Sequence, residues 1–341
     1  GILQVSSDDI IVSLADLKRQ YAELKEYQKK LILSKTPFHT IAQEVESTSN
    51  KFVEKTIRKL LPIVWDELGI PSNSSAVLYF RDMKTFDSDL DLFYWGPKAD
   101  EVNIKLTRLS FILGLKRDLF TTFLVTDEVI NHRIDYDVYH YFAMGKVIEI
   151  NNGSYAKFYK ENIEPYADLD KMWQEIHPYL CRQLNVWGWG HSDLPLTIAD
   201  FKNIQYRATS HLLFGLSKKY GIPFGPDLNA TISFLEERKY LDKEEADTIK
   251  KAIVLSKQAR NILQLITRRR WEGVDERTLA KIESIMAKQG APGFIIRAEE
   301  IGKNLKNLLC AACCRLTMWK ENFCCFSGKW IWEPRQSAWR V

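Results

Sequence analysis

Apolar residues recur at helical spacing over the first part of the chain and then change to short continuous runs. Leu17, Tyr21 and Leu24 lie three or four positions apart, which predicts an amphipathic helix. A second helix is predicted over 45–68, where the apolar positions keep this spacing until Gly69-Ile70-Pro71 ends it. The uninterrupted apolar run 76–80 is typical of a buried strand.

The pattern continues with a second strand over 90–94, a helix over 99–115 and a β-rich segment over 119–125. The turn cluster 151–154 predicts a domain boundary. Nearly everything beyond it has helical periodicity, and Asp242 is a candidate N-cap. The predicted helical segments are 169–185, 198–220, 230–238, 243–269, 275–289 and 295–314.

The alternation of these patterns predicts an α+β protein. We expect an N-terminal helical segment over 1–70, a small α/β domain over 71–152 and an all-α helical domain over 153–308. The remaining segment, 309–341, is rich in Cys and Trp and has no steady period. It is typical of an abnormal terminus or of a chain cut short of its next domain.

Composition limits the classes of function. The net charge of +4, with acidic residues interspersed among basic ones, argues against nucleic-acid binding. No apolar run is long enough to predict a membrane span, and no signal peptide is apparent, so we expect a cytoplasmic protein. Because the chain begins with Gly1, an upstream piece is expected.

The cysteines crowd towards the end of the chain. Reduced thiols are the favoured interpretation, because a disulfide framework is expected in small secreted domains. A zinc site formed by Cys310, Cys313, Cys324 and Cys325 is the alternative, although the second pair lacks the usual spacing.

Two carboxylates two positions apart lie at the start of the second predicted strand. In an extended chain, Asp89 and Asp91 would project to one face, while Leu90 and Leu92 pack beneath. Magnesium binds carboxylate oxygens together with the phosphates of a nucleotide, so the pair predicts metal-assisted phosphate chemistry. The alternative is a solvated acidic turn that opens the strand.

The surrounding residues resemble the nucleotidyltransferase superfamily of DNA polymerase β, and more narrowly the bacterial PII uridylyltransferases. Those enzymes carry Gly-Gly-Tyr-Gly-Arg, six further residues and then Ser-Asp-x-Asp-Leu. The residues of this chain that match are Tyr79, Arg81, Ser88, Asp89, Asp91 and Leu92.

Further matches extend the resemblance over roughly residues 40 to 290. Residues 198–206 are similar to the family's Leu-Arg-Asp-Ile-x-x-Leu-Gln-Trp, and 240–246 to its Phe-Leu-Thr-x-x-Glu-Ala. Arg260 matches its Arg-x-x-Leu-His, with Gln264 in place of His. The resemblance implies a small nucleotidyltransferase mixed β-sheet with flanking helices, followed by a helical substrate-binding-type domain.

The implied activity is transfer of a nucleoside monophosphate from a triphosphate, UTP by resemblance, to a hydroxyl of a protein resembling a PII-type regulator. Pyrophosphate is released. Asp89 and Asp91 are the implied Mg²⁺ ligands, with Asp127 as the third carboxylate and Asp135 as the alternative. Tyr79, Arg81 and Ser88 are the implied nucleotide-binding residues.

The chain departs from the family where the phosphates would approach the backbone. Val77, Leu78 and Phe80 replace three glycines whose lack of a side chain permits that approach. Leu196-Thr197 replaces a further Gly-Gly, and Ala199 replaces an arginine. These changes favour an alternative function, namely a catalytically degenerate nucleotidyltransferase fold that acts as a binding or regulatory module.

Overall fold

The computed structural model describes part of the chain in two compact units. The units are Gly1–Ser34 with Thr40–Asp168, and Lys35–His39 with Leu169–Val341. The described residues are 7–81, 85–88, 90, 92–115, 144–162, 209–222, 224–225, 227–267, 275–294, 300, 323–324 and 331–332.

The described chain begins with two long antiparallel helices: α1, Ser7–Ile32, and α2, Phe38–Glu67, which belongs to the first unit from Thr40 onward. Gln28 of α1 is buried between them, and its amide group donates to Thr48 Oγ1 at 3.0 Å and to Ser49 Oγ at 2.8 Å. At the other end of the helix pair, Lys59 Nζ lies 3.3 Å from Asp16 Oδ2 and forms an ion pair with it. The predicted helices are confirmed here, and both begin earlier than their apolar patterns indicated.

A three-stranded antiparallel sheet follows the helix pair. The strands are β1, Ala76–Arg81; β2, Leu92–Trp95; and β3, Gly145–Ile150. The order is β2-β1-β3, so β1 is central; Leu78 pairs with Tyr94 on one side and with Ile148 on the other. The described strands are thus all antiparallel, whereas the resemblance implied a mixed sheet. The predicted strand 119–125 lies outside the described residues.

One face of this sheet packs on the helices. Leu78, Phe80, Leu92 and Tyr94 share a core with α2 and with α3, Ala99–Ile112. Trp65 of α2 donates from Nε1 to Tyr94 Oη at 3.1 Å, and that hydroxyl donates to the carbonyl oxygen of Pro97 at 2.9 Å. The buried tyrosine therefore has both its donor and its acceptor satisfied.

The opposite face is covered by helix α4, Tyr155–Asn162. Phe158 is fully buried and lies 5.4 Å from the ring of Phe93 and 5.1 Å from that of Trp95, between centroids. Tyr155 stacks on Tyr79 at 5.9 Å. Neither β3 nor α4 was predicted from the sequence, and α4 packs on the sheet although it follows the predicted boundary at residue 152.

The described residues of the second unit are mostly helical. The helices are α5, Thr209–Tyr220; α6, Leu228–Glu237; α7, Lys243–Thr267; and α8, Glu276–Lys288. Their positions match four of the predicted segments to within a few residues, except that the described part of 198–220 begins at 209. Two strands of two residues each, β4, Phe323–Cys324, and β5, Ile331–Trp332, pair antiparallel in the terminal segment.

Side-chain caps explain where three of these helices begin. Asp242 accepts from the backbone N–H of Glu245 at 2.8 Å, and Glu245 accepts from the N–H of Asp242 at 2.9 Å. This capping box satisfies two amides that the helix leaves without partners. The predicted N-cap at Asp242 is confirmed, and Asp227 and Asp275 cap α6 and α8 in a similar way.

Candidate functional site

The predicted site residues divide into two groups. Asp89, Asp91, Asp127 and the alternative Asp135 lie outside the described residues. Tyr79, Arg81 and Ser88 are described, and they border the connection between β1 and β2. The site can therefore be built from its frame: the two strands, residues 85–88 and Leu90.

Leu90 and Leu92 fix the frame to the core. Their side chains are 1% and 3% exposed, and both belong to the core that α2, α3 and the sheet share. The sequence predicted that these leucines pack beneath the acidic positions, and their burial is confirmed.

Residues 85–88 form a turn closed by two hydroxyl side chains. Ser88 Oγ accepts from the backbone N–H of Thr85 at 2.9 Å and lies 2.8 Å from Thr85 Oγ1. The backbone N–H of Ser88 donates to the carbonyl oxygen of Thr85 at 3.2 Å. Thr85 is fully buried, so the turn is anchored at its start. In this arrangement the hydroxyl of Ser88 holds the turn.

Tyr79 is part of the packed face of the sheet. Its ring is fully buried against Tyr155, and Gly145 of β3 lies directly over it. Arg81, at the end of β1, is half-buried and pairs with Gly145. Of the two, the arginine ends the strand next to the acidic connection and offers a forked guanidinium that suits phosphate.

The residues that replace the family's glycines are core residues. Val77, Leu78 and Phe80 are fully buried; Leu78 and Phe80 lie in the core shared with α2 and α3. Because β1 is the central strand of the described sheet, its backbone is also paired on both sides. At these three positions, the side chains are buried and the backbone lies between two paired strands.

A contact from α1 to the turn has no signal in the sequence. The ammonium group of Lys25 donates to the carbonyl oxygen of Phe86, 61 positions away. The same nitrogen lies 4.5 Å from the centroid of the Phe86 ring and 5.4 Å from that of Tyr21. Sequence reasoning missed this lysine because neither its spacing nor its neighbours distinguish it from the other lysines of α1.

Two tyrosines near the frame have strongly raised pKa values. Burial raises the pKa of Tyr21 to about 12, and the negative charge of Asp87 adds to the rise. Burial also raises the pKa of Tyr94 to about 12, against the effect of the hydrogen bond with Trp65. Both hydroxyls are therefore neutral at physiological pH.

Of the other residues that the sequence analysis named, some are described by the structure and others are not. Arg260 and Gln264 are buried residues of α7, whereas residues 198–206 lie outside the described part of the chain. Of the zinc alternative, only the backbone of Cys324 is described, in β4. Within the ranges that are described, no group of three or more His, Cys, Asp or Glu side chains is arranged to hold a metal ion.

No family model and no curated protein matches the chain. A search of the described helices finds none long and apolar enough to cross a membrane.

Proposed function

We propose that the chain is a metal-dependent nucleotidyltransferase with its site on the β1–β2 connection. It transfers a nucleoside monophosphate from a nucleoside triphosphate to a protein hydroxyl and releases pyrophosphate. By resemblance, the triphosphate is UTP and the acceptor is a PII-type regulator; the cysteine usage favours a location in the cytoplasm.

The observation that supports this proposal is the burial of Leu90 and Leu92 in one core. Alternate residues of an extended chain point to opposite faces. We therefore expect the carboxylates of Asp89 and Asp91 to face away from that core. Arg81 ends β1 one residue beyond Phe80, and Phe80 pairs with Leu92, the first residue of β2.

The donor set of this site fits magnesium, which prefers carboxylate oxygens. Asp89 and Asp91 would hold it, with Asp127 as third ligand; when bound, it orients the triphosphate and lowers the pKa of the acceptor hydroxyl. Arg81 would bind a phosphate of the triphosphate through its guanidinium. The Thr85–Ser88 turn would keep the acidic positions in place.

A binding or regulatory module with a degenerate nucleotidyltransferase fold is the second candidate. The specific observation in its favour is that Val77, Leu78 and Phe80 are buried where the family has glycines. A phosphate cradle made of free backbone N–H groups cannot form at these positions of a central strand, because pairing uses the backbone.

The test uses nucleoside triphosphates labelled at the α-phosphate, since that phosphate stays with the transferred group. The purified chain is incubated with Mg²⁺ and each triphosphate, with and without cell extract, beside Asp89→Asn/Asp91→Asn. The expected result is a labelled protein and released pyrophosphate, both reduced by about 10²-fold or more in the double variant, because several kcal/mol of charge stabilisation is lost.

Asp100→Asn/Glu101→Gln is the matched control, because it removes two exposed carboxylates of α3 that follow the β1–β2 connection closely in sequence. It should label acceptors as the wild type does. If the wild type binds no triphosphate and transfers no label to any acceptor, the enzyme proposal is wrong and the binding module is favoured.

A further inference from the structure

Helix α1 contacts the turn of residues 85–88, which leads into the acidic motif, Asp89 and Asp91. Lys25 donates a hydrogen bond to the carbonyl oxygen of Phe86, and its ammonium group lies over the Phe86 ring. A cation near an aromatic face adds an electrostatic attraction to the hydrogen bond. One side chain therefore contacts both the backbone and the side chain of the same turn residue.

The neighbours of Lys25 on α1 contribute to the same contact. Tyr21, one helical turn earlier, packs its ring against Phe52 of α2 at 5.3 Å between centroids. The ammonium group of Lys25 lies 5.4 Å from the centroid of the Tyr21 ring and 4.5 Å from that of Phe86, so the turn lies against this side of α1. The lysine is thus part of a fixed surface formed by α1 and α2.

The same turn is also held by packing and by a hydroxyl group. Thr85 is buried at one end and Leu90 is buried beyond the other, while the Ser88 hydroxyl closes the turn between them. Thr85 and Leu90 are therefore both held by packing, on either side of the turn. At the turn's centre, Lys25 contacts both the backbone and the ring of Phe86.

We propose that Lys25 is a positioning residue for the acidic motif: by holding Phe86, it keeps the carboxylate positions after Ser88 in the arrangement that binds magnesium. The inference rests on the proposed function of the same site. It gives α1 a role in setting the Mg²⁺ affinity of the acidic motif, although the turn that α1 contacts is more than sixty positions away in the chain.

Positioning and simple electrostatics predict opposite signs. A lysine near a cation site repels the metal, so loss of its charge alone would tighten magnesium binding. If Lys25 acts by positioning, its loss weakens binding, because the carboxylates must then be ordered by the metal itself. The direction of the change therefore separates the two effects.

The experiment measures Mg²⁺ affinity by calorimetry on the full chain, with hydrogen exchange of the peptide that spans residues 85–88. Lys25→Met removes the charge and the donor while keeping most of the stem. Lys25→Arg restores both, and Lys18→Met removes the charge of an exposed lysine of the same helix. Phe86→Leu is a second, milder variant that keeps the carbonyl acceptor.

We expect Lys25→Met to weaken Mg²⁺ binding by about tenfold and to speed exchange in the turn, and Phe86→Leu to do so by about threefold. Lys25→Arg and Lys18→Met should stay close to the wild type in both measurements.

The inference alone is overturned if the wild type binds Mg²⁺ and Lys25→Met binds it equally or more tightly. It is also overturned if binding weakens while exchange in the turn is unchanged. A wild type that binds no Mg²⁺ removes the proposed function, and this inference with it. If Lys25→Met does not fold, the same criteria apply to Phe86→Leu.

Discussion

Gly145 shows how a single position of the frame is limited by its neighbours. A Cβ atom there would overlap the ring of Tyr79 and would lie 2.6 Å from the carbonyl oxygen of Phe80. The tyrosine ring is held by Tyr155, and the carbonyl belongs to the central strand. Neither neighbour can move without disturbing the sheet next to the candidate site.

Gly145→Ala is therefore expected to lower the free energy of unfolding by about 1–3 kcal/mol, the usual cost of overpacking. Urea denaturation followed by fluorescence measures the change. Gly225→Ala is the matched control, because a Cβ at that glycine meets no atom within 4 Å. Equal stability of the two variants would show that β3 can shift away from β1 at little cost.

Tyr94 links stability to pH at the alkaline end. Its folded pKa of about 12 exceeds the ordinary value of 10.0. A raised tyrosine pKa means that the folded state holds the proton more tightly than the unfolded state. Its contribution to stability is fully present below pH 10 and is lost as the pH rises towards 12.

We expect the wild type to lose stability between pH 10 and 12, and Tyr94→Phe to lose less over the same interval. Urea midpoints at a series of pH values measure both curves. Lysines titrate in the same range, so the comparison is between the two slopes. Parallel curves for the two proteins would contradict the assigned role of Tyr94.

Helix α7 shows how local chemistry sets the boundary of an element. Its start is fixed by the reciprocal hydrogen bonds between Asp242 and Glu245. These bonds involve residues three positions apart, so the sequence was sufficient to predict the cap. Strand β3 and helix α4 differ, because their main partners lie on β1 and β2, far away in the chain.

Asp242→Ala is expected to lower the free energy of unfolding by about 0.5–2 kcal/mol, the usual cost of losing an N-cap. Asp242→Asn keeps an acceptor oxygen and should remain close to the wild type. Asp247→Ala, inside the same helix, provides a control for the loss of charge. Chemical denaturation of the three variants distinguishes the cap from a charge effect.

At the scale of the whole molecule, the described frame of the candidate site lies in the first unit. The strands, the Thr85–Ser88 turn and Lys25 all belong to it. The helices of the second unit have buried residues of their own, such as Ile262 on α7. This division predicts that magnesium binding and the packing of α7 respond to different substitutions.

Ile262→Ala should lower the free energy of unfolding by about 2–5 kcal/mol, the cost of a large-to-small change in a core. Below its unfolding transition, the variant should bind Mg²⁺ with the affinity of the wild type. Calorimetry at 15 °C and at 25 °C tests this expectation. A weakening beyond about threefold would show that the second unit contributes to the metal site.

Much of the candidate site's frame followed from the sequence. The alternation around Leu90 and Leu92 predicted their burial, and the apolar run before them predicted β1. The sequence also exposed the missing glycines at Val77, Leu78 and Phe80. It predicted a buried strand at 76–80 but not which elements bury it, because α2, α3 and α4 meet β1 only in the tertiary structure.

The sequence by itself therefore determined the α+β class, the positions of most described helices, strand β1 and the cap at Asp242. These features depend on interactions within a few residues, through apolar periodicity and local hydrogen bonds. Only the tertiary structure decided that β3 pairs with β1, that α4 covers one face of the sheet and that Lys25 holds Phe86. Such contacts join segments far apart in the chain, and their free energy comes from burying one surface against another.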